Sequence, residues 1–329
     1  MHLVDYIPEK AIRGFDMAGE NKVQVRGDDL RIEVDGSTDQ EYVDVCGLKI
    51  RLAKPYELDF EWIGNRGVLH QLQASWFCGN SGEKPMNPRL VGKPGVGKTA
   101  LAYAAGKFLN LPVYFFQGTA DTQPNDLLIN PLVVETSGDT SHVEYIASTV
   151  ITAMIKGAVL ILDEGNRMQE KAWASLAPLL DSRRYIESIS VGLTLKAHPN
   201  FRFIATMNDD ASCFELPEYI KSRLHPHINL DFPDRSEERK ILEVNLPFTN
   251  PTVLDYVADF LNVARREGEE YTPRDGIHIA NYAGKLVDYE NYCGRDIDPG
   301  DAVIRSVEQI LGIRQARFVK QILWREKAA

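Results

Sequence analysis

Residues 92–99, of sequence GKPGVGKT, match every fixed position of the phosphate-binding pattern G-x-x-x-x-G-K-[ST]. Glycines at these places let backbone N–H groups turn towards phosphate oxygens, and a helix that begins at the loop adds partial positive charge. In such loops the lysine, here Lys98, reaches the β- and γ-phosphates, and the hydroxyl, here of Thr99, binds Mg²⁺. The alternative is a glycine-rich turn that caps a helix without a ligand. The phosphate-binding interpretation is favoured over this one, because a short strand pattern precedes the loop and a helical pattern follows it.

A pair of carboxylates follows about 65 residues later. Residues 158–162 read AVLIL, which predicts a buried strand, and Asp163 and Glu164 come directly after it. In proteins with this phosphate loop, a carboxylate at such a strand end holds the Mg²⁺ shell and a neighbouring group activates the attacking water. We therefore expect Asp163 in the metal shell and Glu164 as the catalytic base. Alone, the pair would equally suit the start of a helix.

Together the two motifs predict a protein that binds ATP with Mg²⁺ and hydrolyses it. The residues expected to bind the nucleotide are Gly92, Pro94, Gly95, Val96, Gly97, Lys98, Thr99, Ala100 and Asp163. Of these, Thr99 and Asp163 would bind Mg²⁺, partly through water.

The elements that must position these side chains can be predicted from the apolar patterns. In the middle of the chain, short apolar strands alternate with helical segments; the strands lie at residues 90–91, 113–116, 159–162 and 201–206. Such alternation predicts an α/β domain whose parallel sheet is covered on both faces. This is the fold class in which a phosphate loop is expected.

Two other zones flank this domain. Short alternating stretches and turn signals near the start predict a small β-rich segment, either independent or docked as a hairpin on the larger domain. After about residue 233 the strand patterns stop, and helical periodicity takes over at residues 236–245, 252–266 and 299–311. We therefore expect a β-rich segment at 1–58, an α/β nucleotide-binding domain at 59–232 and a helical lid domain at 233–329.

The composition favours an ordinary globular protein of the cytoplasm. Hydrophobic residues make up 44% and charged residues 26% of the 329 residues. The apolar runs are too short to cross a bilayer, and the N-terminus lacks the pattern of a signal peptide. The net charge of −10 disfavours general nucleic-acid binding, which depends on Lys and Arg. The four cysteines show no C-x-x-C spacing and are expected to be free thiols.

Three stretches resemble the MoxR-like branch of the AAA+ ring ATPases. Residues 159–167 (VLILDEGNR) are similar to its Asp-Glu-x-Asn-Arg signature, residues 173–181 (WASLAPLLD) to the helix that follows, and residues 119–128 to the segment before an insertion in helix 2. The resemblance covers roughly residues 60 to 285. It implies a three-layer P-loop core with a helical lid. One departure is Gly165, which stands where the family usually has another residue.

The resemblance also implies three catalytic positions besides Glu164. Asn208, at the end of the buried strand predicted at 203–208, occupies the sensor 1 place and would orient the attacking water or contact the γ-phosphate. Arg223 would be an arginine finger that acts on the ATP of a neighbouring subunit. Arg274 would be sensor 2, which reaches the γ-phosphate from its own subunit. The alternatives are a turn at Asn208, a helix-end cation at Arg223 and a plain helix start at Arg274.

An arginine finger implies a homo-oligomer, and in this family a hexameric ring. Residues 121–146 and the hairpin predicted at 183–195 match the two insertions that face the central pore, unless the hairpin merely extends the sheet. The implied partner is a protein client, in many family members one with a von Willebrand factor A domain. The alternatives are a nucleic-acid motor and a scaffold that binds nucleotide without hydrolysis. His225 and His227 are interpreted as structural rather than metal-binding.

Overall fold

The computed structural model of the protein describes residues 24–25, 28–29, 31–35, 40–58, 62–80, 82–136, 140–210 and 214–327. These residues divide into two compact units. The first consists of the described residues within 1–60, 67–91 and 98–229, and the second of those within 61–66, 92–97 and 230–329. Of the β-rich segment predicted at 1–58, residues 1–23, 26–27, 30 and 36–39 lie outside the described part of the chain.

The strands are β1 (Gln24–Val25), β2 (Asp28–Asp29), β3 (Arg31–Asp35), β4 (Gln40–Val45), β5 (Leu48–Arg51), β6 (Arg89–Gly92), β7 (Val113–Gln117), β8 (Ile129–Thr136), β9 (Thr140–Ala147), β10 (Val159–Asp163), β11 (Tyr185–Ser188), β12 (Leu193–Lys196), β13 (Arg202–Asn208) and β14 (His227–Asn229). The helices are α1 (Arg66–Trp76), α2 (Lys98–Phe108), α3 (Thr149–Lys156), α4 (Glu170–Leu176), α5 (Glu218–Lys221), α6 (Arg235–Asn245), α7 (Pro251–Arg266), α8 (Pro273–Tyr292), α9 (Pro299–Leu311) and α10 (Ile313–Lys327). Short 3-10 turns occupy Pro124–Leu127, Gly165–Arg167 and Ile189–Val191.

A five-stranded sheet of order β14-β6-β13-β10-β7 forms the centre of the first unit. Strand β10 pairs in parallel with both β7 and β13, and β14 pairs in parallel with β6. All seven residues of β13 and the first four of β10 are buried, as expected of central strands covered on both faces. The predicted α/β class is therefore confirmed. Because β10 and β13 are parallel neighbours, Asp163 and Asn208 leave the sheet at the same edge.

Strands β3, β4 and β5 of the N-terminal segment belong to a second sheet of the first unit, of order β3-β4-β5-β9-β8. Strand β5 pairs in parallel with β9, which places Ile50 opposite Tyr145. The β8–β9 hairpin falls in the segment that resembles the helix-2 insertion. The small N-terminal β segment is thus confirmed, and it shares a sheet with that insertion.

Polar side chains hold this second sheet together. The carboxylate of Glu144 on β9 lies 3.1 Å from the Arg51 guanidinium and accepts a 3.3 Å hydrogen bond from the Tyr42 hydroxyl. Lys156 at the end of α3 forms an ion pair with Glu41 on β4. These contacts tie β4 and β5 to the β8–β9 hairpin and to helix α3 after it.

The hairpin predicted at 183–195 is confirmed as β11 and β12, which pair antiparallel from Tyr185↔Lys196 to Ser188↔Leu193. It belongs to a third sheet, of order β11-β12-β1-β2, because Val25 of β1 pairs with Leu195. The hydroxyl of Ser190, in the turn between the two strands, donates a 2.9 Å hydrogen bond to the carbonyl of Ile129 at the start of β8. The β8–β9 and β11–β12 hairpins are therefore joined by this hydrogen bond.

The second unit is helical over its described residues beyond 230, as predicted. Helix α6 begins with a capping box in which Asp234 accepts from the Glu237 amide. Pro251, Pro273 and Pro299 each stand at the first position of a helix, where their fixed φ is favourable. Buried apolar residues of α6 to α10 form one core; among them are Leu242, Leu254, Phe260, Leu261, Ile279, Val303 and Val319. No described helix is long and apolar enough to cross a membrane.

Candidate nucleotide-binding site

The phosphate loop has the backbone that its glycines predict. Strand β6 ends at Gly92, and α2 begins at Lys98, whose side chain is largely buried. Gly95 and Gly97 have φ values of +84° and +96°, a region that other residues rarely adopt. This strand–loop–helix arrangement is the context that the motif requires, and its N–H groups can turn towards an anion.

Within the second unit, the loop packs against the segments that precede α6 and α8. Lys93 forms a 3.0 Å ion pair with Glu270. A Cβ atom added at Gly95 would lie 2.8 Å from the Thr272 hydroxyl and 3.1 Å from the Cβ of Arg274. Only glycine fits here, because contact with α8 leaves no room for a side chain. The start of α8, with Arg274, therefore lies beside the phosphate loop.

The hydroxyl of Thr99 donates a 2.7 Å hydrogen bond to Oδ1 of Asp163 in the first unit. The same oxygen accepts from the Thr206 hydroxyl, on the neighbouring strand β13. A hydroxyl and a carboxylate in direct contact supply the hard oxygen atoms that Mg²⁺ prefers. These residues fit a magnesium ion held next to a phosphate chain. Thr206 was not predicted, since a buried threonine in a strand has no distinctive signal.

Glu164 has an unusual backbone and two side-chain partners. Its φ of 52° and ψ of 39° lie in the left-handed region, which costs a non-glycine residue roughly 1 to 3 kcal/mol and is often found at functional sites. Its Oε1 accepts a 3.3 Å hydrogen bond from the side-chain amide of Asn208, and its Oε2 lies 2.6 Å from the Nε atom of Arg167. Glu164 and Asn208, two of the three catalytic positions predicted in this unit, are therefore in contact.

A pair of asparagine contacts fixes the geometry between these residues. The side-chain amide of Asn166 donates a 2.7 Å hydrogen bond to the backbone carbonyl of Asn208. The backbone amide of Asn208 donates in return to Oδ1 of Asn166 at 3.3 Å. Asn166 is buried, so these bonds are shielded from water. The end of β13 is thus tied to the turn after β10. Sequence reasoning left Asn166 and Arg167 without a role, although both contact the predicted catalytic positions.

The unusual Gly165 is explained by the indole of Trp173. A Cβ at Gly165 would lie 2.9 Å from Cζ2 of Trp173, closer than packed carbon atoms allow. The Trp173 ring nitrogen donates a 3.1 Å hydrogen bond to the Gly165 carbonyl. The large indole is fully buried under the turn and takes the space of a side chain at position 165. Trp173 therefore supports the turn that carries Glu164.

Arg223 follows the short helix α5 in the first unit. Its guanidinium donates to the carbonyl of Tyr219 and lies 3.8 Å from the Asp181 carboxylate. Arg183 also binds Asp181, and its hydrogen bonds are the largest cause that lowers the pKa of that carboxyl. The Arg223 side chain is 28% exposed. Arg223 is thus bound to Tyr219 and Asp181 of its own chain.

The histidines and cysteines considered in the sequence belong to no metal-binding cluster among the described residues. No group of three or more His, Cys, Asp or Glu side chains there could hold a metal ion. His227 lies on β14, and burial is the main cause that lowers its pKa. Cys46, Cys78 and Cys293 form no disulfide bond within the described part of the chain, and Cys213 lies outside it.

Residues 89–224 match the family model of the AAA domain of the dynein-related subfamily. The matched stretch contains the phosphate loop, Asp163, Glu164, Asn208 and Arg223. The chain therefore contains an AAA+ domain, as the resemblance implied.

Among curated proteins, the chain is 26% identical to an uncharacterised protein of Staphylococcus epidermidis. The match extends over 175 residues, which are 53% of this chain and 66% of that protein. The chain is also 28% identical to an uncharacterised protein of Staphylococcus aureus. This match extends over 149 residues, which are 45% of this chain and 56% of that protein. The chain thus spans less than two thirds of the length of these relatives.

Among solved structures, the chain is similar to a Holliday junction branch migration motor, RuvB of Thermotoga maritima. The TM-score is 0.50 at 18% identity, over 75% of this chain and 69% of that chain. A point mutant of the same RuvB gives a TM-score of 0.53 at 18% identity, over 80% of this chain and 76% of that chain. These likenesses establish the P-loop AAA+ fold.

Proposed function

We propose that the protein is a Mg²⁺-dependent ATPase of the MoxR type that works as a hexameric ring and remodels a protein client. The observation that carries the proposal is the placement of Thr99, Asp163, Glu164 and Asn208 at one edge of the parallel sheet. A protein that only binds nucleotide needs the first two residues but not a carboxylate base held by an amide.

In this proposal each side chain has a defined task. The N–H groups of the phosphate loop and Lys98 bind the phosphate chain, and Thr99 with Asp163 binds Mg²⁺. Bound Mg²⁺ supplies charge neutralisation at the phosphate oxygens. Glu164 accepts a proton from the attacking water, and the Asn208 amide, 3.3 Å from Glu164, orients that carboxylate. Arg274, beside the loop at Gly95, would respond to the γ-phosphate.

The ring is proposed from Arg223. A guanidinium that stabilises transition-state charge is typically worth about 10³- to 10⁵-fold in rate. Arg223 would leave Asp181 and Tyr219 and act on the ATP of a neighbouring subunit. Its contact with Asp181 is long, at 3.8 Å, and partly exposed, so its loss costs little.

The client would be contacted through the two inserted hairpins. Val133 and Val143 lie opposite each other on β8 and β9 and are 65% and 52% exposed, and Ile189 in the β11–β12 turn is 89% exposed. Apolar side chains that face water at hairpins suit contact with a protein. A protein with a von Willebrand factor A domain is the client that the MoxR type suggests.

The ring proposal is tested by the ATPase rate per subunit as a function of protein concentration. For the parent we expect the rate to rise with concentration, and for Arg223→Ala to fall by about 10³-fold or more at every concentration. Lys221→Ala is the control, because Lys221 is a nearby cation that pairs with Glu215 and Glu218, two exposed carboxylates of its own chain. A rate that is independent of concentration and of Arg223 would refute the ring. Stimulation by DNA instead of by a protein would favour a nucleic-acid motor.

A further inference from the structure

Arg265, in the last turn of α7, joins three segments of the second unit. Its Nε donates a 2.8 Å hydrogen bond to the carbonyl of Tyr271, and its Nη1 donates to the carbonyl of Pro233 at 3.2 Å. The same Nη1 lies 2.7 Å from Oε2 of Glu238, on α6. The guanidinium also covers the ring of Phe232, 4.7 Å from its centroid. One side chain thus connects α6, α7 and the two segments before α6 and α8.

Glu238 is a fully buried carboxylate, and its charge is costly there. Burial raises the pKa of Glu238, and the neighbouring Arg265 guanidinium opposes that rise. A buried ion pair is weak evidence for stability, since apolar residues of similar volume often serve the fold equally well. The geometry that the pair imposes is therefore the more informative property.

The two carbonyls that Arg265 binds flank the contacts of the phosphate loop. Tyr271 directly precedes Thr272, whose hydroxyl packs against Gly95. Pro233 lies three residues after Leu230, whose carbonyl packs against Gly92. The loop therefore lies between two backbone segments that are both held by the guanidinium of Arg265.

We propose that Arg265, supported by the buried carboxylate of Glu238, is a positioning residue that holds Thr272 and Arg274 against the phosphate loop. It acts through Arg274 and does not touch the nucleotide. This inference rests on the proposed ATPase function. The pair fixes the distance between the start of α8 and the loop, so that Arg274 meets a γ-phosphate in a set orientation.

The test uses the double variant Arg265→Met/Glu238→Leu in the full chain. It removes both charges together, so no unpaired charge is left buried, and the second unit can stay folded. We expect ADP binding within about 3-fold of the parent and KM for ATP little changed. We expect kcat to fall by about 10- to 100-fold, since a misplacement of about 1 Å can cost that much. Arg266→Met, an exposed arginine of the same helix turn, is the matched control and should keep the parent rate.

Combination with Arg274→Ala shows whether the pair acts through Arg274. If it does, the pair variant lowers kcat no further in an Arg274→Ala background, because coupled residues are not additive. Losses that multiply would overturn the inference, as would a pair variant with the parent kcat.

If the pair variant does not fold, Arg265→Lys replaces it, because lysine keeps the charge beside Glu238 but lacks the fork that reaches both carbonyls. It should show the same fall in kcat at unchanged KM, and a parent kcat would overturn the inference. A parent protein that does not hydrolyse ATP would instead refute the proposed function.

Discussion

The carboxylate of Glu164 forms an ion pair with Arg167, three residues later, with 2.6 Å between Oε2 and Nε. Glu164 is the residue that we propose as the catalytic base, and it stands in a left-handed backbone conformation. The pair therefore restrains one carboxylate oxygen while the other accepts from Asn208. Arg167 must release this oxygen, or share it, when Glu164 accepts a proton from water.

Removal of Arg167 is expected to raise the basal rate of ATP hydrolysis. The two side chains are 38% and 34% exposed, and a pair of this kind is worth about 1 kcal/mol at most. Arg167→Gln should therefore increase kcat by no more than about 5-fold. Steady-state ATPase assays measure the change, and the same substitution in a Glu164→Gln background should have no effect. A fall in kcat would mean that Arg167 helps the reaction instead of restraining its base.

Gly165→Ala should destabilise the protein. The added Cβ would lie 2.9 Å from the Trp173 ring, and overpacking of this kind typically costs about 1 to 3 kcal/mol. The free energy of unfolding in urea measures the cost. Trp173→Phe in the Gly165→Ala background should recover part of the loss, because the smaller ring frees space at Cζ2. Equal stability of Gly165→Ala and the parent would contradict the packing account.

Glu144→Ala should loosen the attachment of strands β4 and β5 to the β8–β9 hairpin. It removes the ion pair with Arg51 and the hydrogen bond from Tyr42, together worth roughly 1 to 2 kcal/mol in a partly buried place. Hydrogen exchange at the paired amides of β5 and β9 should accelerate. Glu187→Ala, at an exposed position of β11, is the control. Unchanged exchange in β5 would show that backbone pairing alone holds the strand.

His198 predicts a dependence of stability on pH. Burial, and secondly the charge of Arg202, lower the pKa of His198 from 6.5, and its Nδ1 accepts a hydrogen bond from the amide of Asn200 at 3.1 Å. Because the folded pKa is depressed, the stabilisation is present above pH 6.5 and is lost as the pH falls through the folded pKa. Unfolding of the parent and of His198→Asn between pH 7.5 and about 5 tests this. The variant should lose less stability on acidification, and parallel curves would contradict the assignment.

The parts of the fold that could be predicted from the sequence are those that short residue patterns specify. The apolar strands β10 and β13 were predictable because a buried parallel strand needs a continuous apolar run, and the phosphate loop because its glycines serve a fixed backbone shape. The parallel pairing of β5 with β9 was not predictable, since no local pattern encodes contact between residues 50 and 145.

The candidate site was predictable where a residue lies at the end of an element. Asp163, Glu164 and Asn208 follow apolar strands, and the structure brings them together. Thr206 and Arg265 carry no such signal, because a threonine in a strand and an arginine at a helix end are common in any protein. Their contacts depend on residues distant in sequence. The roles of Arg223 and Arg274 stay predictions.

The most direct test of the central claim compares the parent with Glu164→Gln, with ATP binding and ATP hydrolysis measured on the same samples. If Glu164 is the catalytic base, the variant should bind ATP with the parent affinity and hydrolyse it at least about 100-fold more slowly, the typical contribution of a positioned base. Glu170→Gln, at an exposed position nearby, should hydrolyse at the parent rate. Hydrolysis by Glu164→Gln at the parent rate, or no binding of ATP by the parent, would contradict the account.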